Sequence, residues 1–535
     1  MAPPYESMSS RIRWCTMRAR EGDSHRKMSA MHRVWIGVIA AIGVTLTLQP
    51  AQPSRFDVLI RHARVMDGSG NPWLRADVGV SGDRIAAVGR LDAATAARII
   101  DARDQLVTPG FVDVHSHAAD GIVHPPLRQA QPLLAQGVTT FVANPDGGGP
   151  VDLAAQRATL EKGGIGPNVA LLIGHGSVRR AVMGDANREP TTQELDRMIE
   201  LVRRGMRDGA FGLSSGLFYV PGSYSKTDEV IALAKAAGEA GGLYTSHIRD
   251  EGNYNIGVVA AADEVIGIAE QAHVIGIVSH MKALGPESWG LSSRMIANID
   301  SARGRGVQVF ADQYPYDASS TSLRAALLPL GAGPDEAIVR DNLKRRGGPD
   351  SILIAFFKPD RSLEGKTLSE IARARGTSPE RTALDLIAQG SASIVSFNMS
   401  AADIDAIMTQ PYTMASSDGG LVEPGAGRPH PRDYGAFARR LAVYVRQRHV
   451  VGLEFAVRSM TSLPAAVFGI PDRGALRPGA FADLVVFDPD RIEDRATYTE
   501  PQQLAAGVSY VLVNGVVVLD DGKFTSALPG RVLRR

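Results

Sequence analysis

Two histidines two residues apart, His115 and His117, are well suited by type and spacing to bind a metal ion. They follow the apolar run 106–114, which predicts a buried strand. Side chains at positions i and i+2 of a strand lie on the same face, so both imidazoles could bind one cation. The pattern therefore indicates a metal site at the end of a strand.

Candidate ligands or proton-transfer groups follow five other apolar segments. They are Asp146 after 139–144, His175 after 168–174, His247 at the end of 243–247, His280 at the end of 275–280, and Asp418 after 412–417. One buried histidine is usually a core residue bonded to backbone, but several at strand ends indicate a shared site. For His175, whose neighbours are both glycines, a structural turn remains an equal alternative.

Regular alternation of strands and helices predicts how these residues meet. Eight strands are predicted over 107–115, 139–144, 168–174, 209–215, 243–247, 275–280, 308–314 and 412–417. Helical segments such as 193–207, 228–240 and 256–271 separate them. We therefore predict an α/β fold, a (β/α)8 TIM-like barrel over 107–474, with the site at the carboxyl ends of its strands.

Two further regions accompany the predicted barrel. The stretch 318–395, between strands seven and eight, is too long for a loop and is expected to be an inserted subdomain. Short strands at both ends, including a hairpin across Asn514-Gly515, predict one small composite β-sandwich domain from 53–106 and 475–535.

The composition and the N-terminal residues limit the possible partners and the cellular location of the protein. A net charge of +1 gives no bulk field favouring nucleic acid, and a single cysteine, Cys15, excludes an intrachain disulfide. Basic residues precede the apolar run 34–48. This pattern predicts a leader over 1–52 with a signal peptide near 28–52. We expect a periplasmic or secreted protein without stable membrane insertion, an uncleaved anchor or a buried helix being the alternatives.

Several motifs resemble those of the amidohydrolase superfamily, and most closely the N-acyl-D-amino-acid deacylases (D-aminoacylases). They are Pro-Gly-Phe-Val-Asp-Val-His-Ser-His (109–117), Gly-Val-Thr-Thr (137–140), Gly-Leu-Ser-Ser-Gly-Leu (212–217), Ser-His-Ile-Arg-Asp-Glu (246–251), Ser-His-Met-Lys (279–282) and Ser-Ser-Asp-Gly (416–419). The resemblance implies zinc and hydrolysis of an amide. It matches His247 and His280 to the ligands of a tighter zinc, His115 and His117 to those of a second site, and Asp418 to the catalytic aspartate.

The chain departs from this family after the second strand. Deacylases of the family commonly have a bridging cysteine there, where this chain reads Asn144-Pro145-Asp146-Gly147. Asp146 is the best available anionic bridge, and its oxygen donors suit zinc, manganese or iron. The alternatives are that Asp146 caps a turn, and that one ion is bound by His247 and His280.

The expected reaction is direct hydrolysis of a linear amide, with Asp418 as general base and then general acid. A free carboxylate on an acylated amino acid or dipeptide needs a cationic partner, and Lys282, Arg249 and Arg432 are candidates. Lys282 and Tyr219 match α-carboxylate-binding residues through the resemblance, whereas Arg249 could instead pair with neighbouring acidic residues. The alternatives are a cyclic amidase or lactonase and a non-catalytic periplasmic binding protein. The residues do not decide the oligomeric state, the side chain or the acyl group.

Overall fold

The structure, a computed structural model, describes residues 55–328 and 332–535 of the chain. The expected leader over 1–52 lies outside the described residues, so the signal peptide stays a prediction. None of the helices in the described ranges has the length and apolar character needed to cross a membrane.

Strands from the two ends of the described chain form one nine-stranded sheet. Its strands are Arg55–Val65, Leu74–Ser81, Arg84–Gly89, Thr95–Asp101, Leu106–Pro109, Leu484–Phe487, Val508–Val513, Val516–Asp520 and Lys523–Phe524. The two ends join where Leu484–Phe487 pairs antiparallel with Leu106–Pro109. The predicted hairpin is present, with Asn514-Gly515 between its paired strands.

Eight parallel strands form the barrel. In order they are Phe111–Asp113, Val138–Ala143, Asn168–Leu171 continued by Ile173–Gly174, Gly212–Gly216, Leu243–His247, Gly276–Val278, Val309–Gln313 and Thr413–Ala415. Each strand pairs with the next along the chain, and the short strands Ser116–His117 and Gly419–Gly420 link the last strand to the first. The predicted α/β barrel fold with an additional sheet is confirmed.

The first barrel strand differs from the prediction. The run 107–115 is two strands rather than one, because Leu106–Pro109 belongs to the nine-stranded sheet and Phe111–Asp113 to the barrel. The chain changes sheets at Gly110, where a Cβ atom would lie 2.0 Å from the Thr139 hydroxyl oxygen. His115 therefore lies in a bend, and His117 ends the next short strand.

Helices cover the barrel between its strands. They are Ala118–Ile122, Gln131–Leu134, Leu153–Gly163, His175–Met183, Thr192–Arg207, Thr227–Glu239, Val258–Ala272, Ser292–Gly304, Ala401–Met408, Arg432–Arg439, Leu453–Met460 and Ser462–Phe468, with 3-10 turns at Pro125–Leu127 and Gly222–Tyr224 and a π-helix at Arg440–Gln447. The three helices predicted at 193–207, 228–240 and 256–271 are present with small shifts. Thr191 begins the first of these three, because its hydroxyl accepts from the Glu194 amide in a capping box.

The segment between the last two barrel strands has its own sheet and core. Its strands are Ser319–Ser322, Ile352–Phe357 and Ala392–Ser396, and its helices are Leu323–Leu327, Glu336–Arg345, Leu368–Arg375 and Pro379–Gln389, with 3-10 turns at Pro349–Ser351 and Arg361–Leu363. Ala392–Ser396 pairs antiparallel with both other strands. Leu343, Ile354 and Leu386 are fully or almost fully buried in a common cluster.

The nine-stranded sheet and the barrel share a hydrophobic core. Val485 and Phe487 of the sheet lie in one cluster with Phe111 and Phe141 of the barrel. The Phe111 ring stacks on Phe437 and meets Phe487 edge-on, each with centroids 6.0 Å apart. Each fully buried aromatic ring contributes roughly 2–3 kcal/mol, so these side chains stabilise the contact between the sheet and the barrel.

Candidate metal and substrate site

A cavity of about 490 Å³ opens at the carboxyl ends of the barrel strands. His117, His247, His280, Asp146 and Asp418 line it. His115 is buried directly beside them, with its Nε2 3.3 Å from Asp146 Oδ1. The structure thus brings together all six predicted metal ligands, although they come from five separate strand ends.

The spacing of these atoms suits a metal ion. Two ligands, each about 2.1 Å from a tetrahedral ion, lie roughly 3.4 Å apart. His115 Nε2 and His280 Nε2 are 3.3 and 3.5 Å from Asp146 Oδ1, and His117 Nε2 is 3.3 Å from Asp418 Oδ1. The ligand atoms of His115, Asp146, His280 and Asp418 all lie within 4.8 Å of one another.

Asp146 lies between the two histidine pairs. Oδ2 is 3.4 Å from His117 Nε2, and Oδ1 is 3.8 Å from His247 Nδ1. Burial opposes its charge, but His115, His117 and His280 hold the pKa of Asp146 well below its usual value. One ionised carboxylate therefore lies within 3.8 Å of all four imidazoles, between the two histidine pairs.

Buried polar atoms without hydrogen-bond partners in the described part of the chain also indicate metal binding. His115 Nε2, His247 Nε2 and Asp146 Oδ1 are buried without a hydrogen-bond partner among the described residues. Leaving a buried polar atom unpaired costs about 1–3 kcal/mol. Burial lowers the pKa of His247 to about 4, so its imidazole is neutral and keeps a lone pair for a cation. The donor set fits a divalent metal.

The loops that carry these ligands adopt uncommon backbone conformations. His280, Asp146 and Asp418 have φ values of +34°, +56° and +50°, in a region that L-residues rarely adopt. Buried carboxylates on neighbouring strands anchor them: Asp312 accepts from the His280 amide, and Asp113 accepts from the Ser417 amide, each at 2.9 Å. The backbone strain is therefore located at the strand ends, where the ligand side chains point into the cavity.

Asp418 is held as an anion. Its Oδ2 forms an ion pair with Arg432 Nη1 at 2.8 Å. Although burial favours the neutral acid, Arg432, His280 and His117 keep the pKa of Asp418 well below its usual value. The carboxylate is therefore ionised, which is the form that a general base requires.

Sequence reasoning missed Glu251 as part of the site. Its Oε1 is 3.0 Å from His280 Nδ1 and pairs with Lys282, and its Oε2 is 3.7 Å from His247 Nε2. His247, Glu251 and His280 form a second group with metal-ligand spacing. The available signal was the i, i+4 spacing from His247, but the neighbouring Arg249 and Asp250 made a local ion-pair network the simpler interpretation.

Three predicted substrate residues line the cavity. Lys282 is buried, with Nζ 2.6 Å from His280 Nδ1, and both Lys282 and Arg432 lie over the Tyr314 ring at 5.5 and 4.8 Å from its centroid. The Tyr219 hydroxyl is 3.2 Å from Thr321 Oγ1. Burial raises the pKa of Tyr219, and the negative charge of Asp146 raises it further. The hydroxyl therefore stays protonated and can donate a hydrogen bond.

Arg249 does not reach this cavity, and its predicted role in substrate binding is corrected. Its guanidinium donates to both oxygens of Glu264, at 2.8 and 2.9 Å, and lines a neighbouring cavity. His175 is structural, since its Nε2 is 2.9 Å from Glu229 Oε1, while Glu229 Oε2 pairs with Arg179.

Three similar proteins from Alcaligenes xylosoxydans xylosoxydans match 90% of this chain. An N-acyl-D-glutamate deacylase is 38% identical over 97% of its own length, and a D-aminoacylase is 36% identical over 98%. An N-acyl-D-aspartate deacylase is 33% identical over 95% of its length.

Solved structures agree with this similarity. An N-acyl-D-glutamate deacylase from Bordetella bronchiseptica, in complex with zinc and a phosphonate mimic of the tetrahedral intermediate, matches with a TM-score of 0.81 and 37% identity. It covers 90% of this chain and all of that one. D-Aminoacylase, studied for its binuclear metal centre, matches with a TM-score of 0.79 and 36% identity over the same shares.

The family model described as "Amidohydrolase family" matches residues 98–315 and 358–519, which include every candidate metal ligand. Together with the relatives above 30% identity, this match shows that the chain belongs to the amidohydrolase family.

Proposed function

We propose that this chain is a metal-dependent hydrolase that cleaves N-acyl-D-amino acids into a carboxylate and a D-amino acid. The observation that carries the proposal is the convergence of four histidines, Asp146 and Asp418 on one cavity that also contains cationic side chains. The similar proteins are named for cleavage of N-acyl-D-amino acids, and they match the chain over 90% of its length.

Zinc is the proposed metal, with manganese or iron as alternatives, because imidazole and carboxylate donors accept all three. His247 and His280 would hold one ion, His115 and His117 a second, and Asp146 would bridge them. Zinc with an open coordination position lowers the pKa of a bound water to about 7 and polarises a carbonyl.

Asp418 is the proposed general base and acid. It is ionised, faces His115 and His117, and is oriented by the ion pair with Arg432. Its carboxylate would take the proton from the attacking water and then donate it to the amine nitrogen as the C–N bond breaks. No side-chain nucleophile and no covalent intermediate are required.

Lys282 and Arg432 are the proposed partners of the α-carboxylate. Both lie over Tyr314 on one wall of the cavity, close to the ligands His280 and Asp418. Each also contacts a carboxylate of the site, so a substrate carboxylate would share or displace these contacts. The Tyr219 hydroxyl adds a neutral donor.

The test is a panel of N-acetyl-D- and N-acetyl-L-amino acids with zinc-loaded and chelator-treated protein. We expect zinc-dependent release of the D-amino acids. Turnover of dihydroorotate or hydantoin with none of the N-acyl-D-amino acids would instead favour the cyclic amidase. Absence of any turnover with metal bound would favour a binding protein.

We also propose that residues 28–52 direct secretion. The support is the basic start at Arg26, Lys27 and Arg33 before the apolar run 34–48. Fractionation of cells making the full chain, with N-terminal sequencing of the product, tests this: a cytoplasmic, uncleaved product would contradict it.

A further inference from the structure

One buried guanidinium in the active-site cavity has no part in the proposed chemistry. Arg346 follows the helix Glu336–Arg345 of the inserted segment, lines the cavity and is only 2% exposed. Its Nε is buried and has no hydrogen-bond partner in the part of the chain that the structure describes. Within the described ranges no carboxylate forms an ion pair with it.

The carboxylates of the cavity that lie near the metal site already have partners. Glu251 pairs with Lys282, and Asp418 pairs with Arg432. Asp146 is surrounded by the histidines. Arg346 is therefore the cation of this cavity whose charge is left to be matched by something else. Burial of an unmatched charge is costly, so a site that keeps one is suited to an anionic ligand.

The position of Arg346 is fixed by its surroundings. Its guanidinium lies over the Tyr254 ring, 5.6 Å from the centroid. In the orientation that satisfies both of its polar atoms, the Asn398 carboxamide donates to the Ser396 carbonyl at 2.9 Å and accepts from Arg346 Nη1 at 3.3 Å. Such neutral contacts orient a guanidinium without neutralising it.

The inserted segment approaches the catalytic loops closely at this point. Gly285 has a φ of +83°, and a Cβ atom there would lie 1.9 Å from the Arg345 carbonyl oxygen. The Gly285 amide also donates to the Asn398 carbonyl at 2.8 Å. The loop that follows Lys282 therefore packs against the end of the helix that precedes Arg346.

Two groups of cationic side chains thus line one cavity, and they lie over different tyrosine rings. Lys282 and Arg432 lie over Tyr314, whereas Arg346 lies over Tyr254. The inserted segment also contributes polar side chains to the cavity lining, namely Ser319, Ser320, Thr321, Ser322 and Ser393. A second anionic group fits this polar lining better than an apolar side chain does.

We infer that Arg346 binds a second carboxylate of the substrate, so that the preferred substrates are N-acyl-D-amino acids carrying an additional acid group. The simplest source is the side chain of an acidic D-amino acid, and the other is a dicarboxylic acyl group. This inference rests on the proposed deacylase function and narrows its substrate class.

The experiment compares matched substrates with zinc-loaded enzyme. N-Acetyl-D-glutamate against N-acetyl-D-glutamine tests a side-chain carboxylate, and N-succinyl-D-leucine against N-acetyl-D-leucine tests an acyl carboxylate. We expect kcat/KM for one acid to exceed that for its neutral partner by roughly 10- to 100-fold, the effect of a charge-assisted hydrogen-bonded pair. Which pair shows the preference identifies the source.

Substitutions test whether the Arg346 side chain causes the preference for the acidic substrate. Arg346→Met should remove most of the preference for the acid and change kcat/KM for the neutral partner by less than about threefold. Arg346→Lys keeps the charge without the planar fork and should retain part of the preference. Lys344→Met, which removes an exposed charge two residues away, is the matched control and should leave the preference unchanged.

The outcomes separate this inference from the function on which it rests. Equal turnover of acid and neutral substrates by the unaltered enzyme would overturn the role of Arg346 and leave the deacylase function standing. An equal loss on every substrate in Arg346→Met and Arg346→Lys, with native metal content and thermal stability, would assign Arg346 to the α-carboxylate instead and also overturn the inference. Failure to cleave any N-acyl-D-amino acid would overturn the function itself.

Discussion

Replacing Asp146 by asparagine removes the charge of the proposed metal bridge while preserving its shape. Oδ1 lies 3.3–3.8 Å from nitrogens of His115, His280 and His247, and Oδ2 lies 3.4 Å from His117. Loss of an outer-sphere partner alone weakens metal binding about 10- to 100-fold. For a direct bridge we expect at least a 100-fold weakening, about 3 kcal/mol.

The assay is metal content after dialysis, followed by competition titration against a chromogenic chelator. Asp146→Asn should bind at most one ion tightly, through His247 and His280, and should lose most of its activity. Asp146→Cys should recover binding, because a thiolate is a metal ligand that can span two ions as a carboxylate does. Asp120→Asn, at an exposed carboxylate in the same cavity, is the matched control.

Asp146→Asn with two ions bound at unchanged affinity would refute the bridging role. Asp146 would then only shape the turn after the second barrel strand. In that case the activity of Asp146→Asn should also remain close to that of the unaltered enzyme.

Three further predictions follow from the same contacts. Asp418→Asn should lower kcat by about 10²- to 10⁴-fold with metal still bound; unaltered turnover at full metal content would exclude it as the base. Lys282→Met should raise KM for N-acyl-D-amino acids roughly tenfold, and an unchanged KM would remove it from carboxylate binding. Burial raises the pKa of Asp113 to about 6, so its protonated form is favoured in the folded state, and stability falls as the pH rises from about 4 to 6. In urea unfolding with chelator present, the stability of the unaltered protein relative to Asp113→Asn should therefore fall by about 2 kcal/mol between pH 4 and pH 7; a pH-independent difference would show that Asp113 is not buried as described.

The metal ligands were predictable because the fold brings them together by a general rule. Carboxyl ends of parallel strands meet at one mouth, so His247, His280 and Asp418 needed only the strand assignments to be placed side by side. His115 and His117 reached the same cluster by a different backbone path, since the chain bends after Phe111–Asp113 rather than continuing as one strand.

Residues whose neighbours are distant in sequence were not predictable in this way. Arg249 looked like a substrate-binding cation, but its partner Glu264 lies on the following helix, and the pair became visible only in three dimensions. Arg346 lies within the inserted segment, whose approach to the cavity depends on the close contact at Gly285. No local pattern encodes that contact.

The most direct test of the metal-dependent deacylase function is hydrolysis of an enantiomeric pair, N-acetyl-D-glutamate and N-acetyl-L-glutamate, by zinc-loaded and chelator-treated protein. We expect release of D-glutamate that requires metal, greatly exceeds release of L-glutamate from the other enantiomer, and is lost in Asp418→Asn. Full turnover without metal, or preferential turnover of the L-enantiomer, would contradict it.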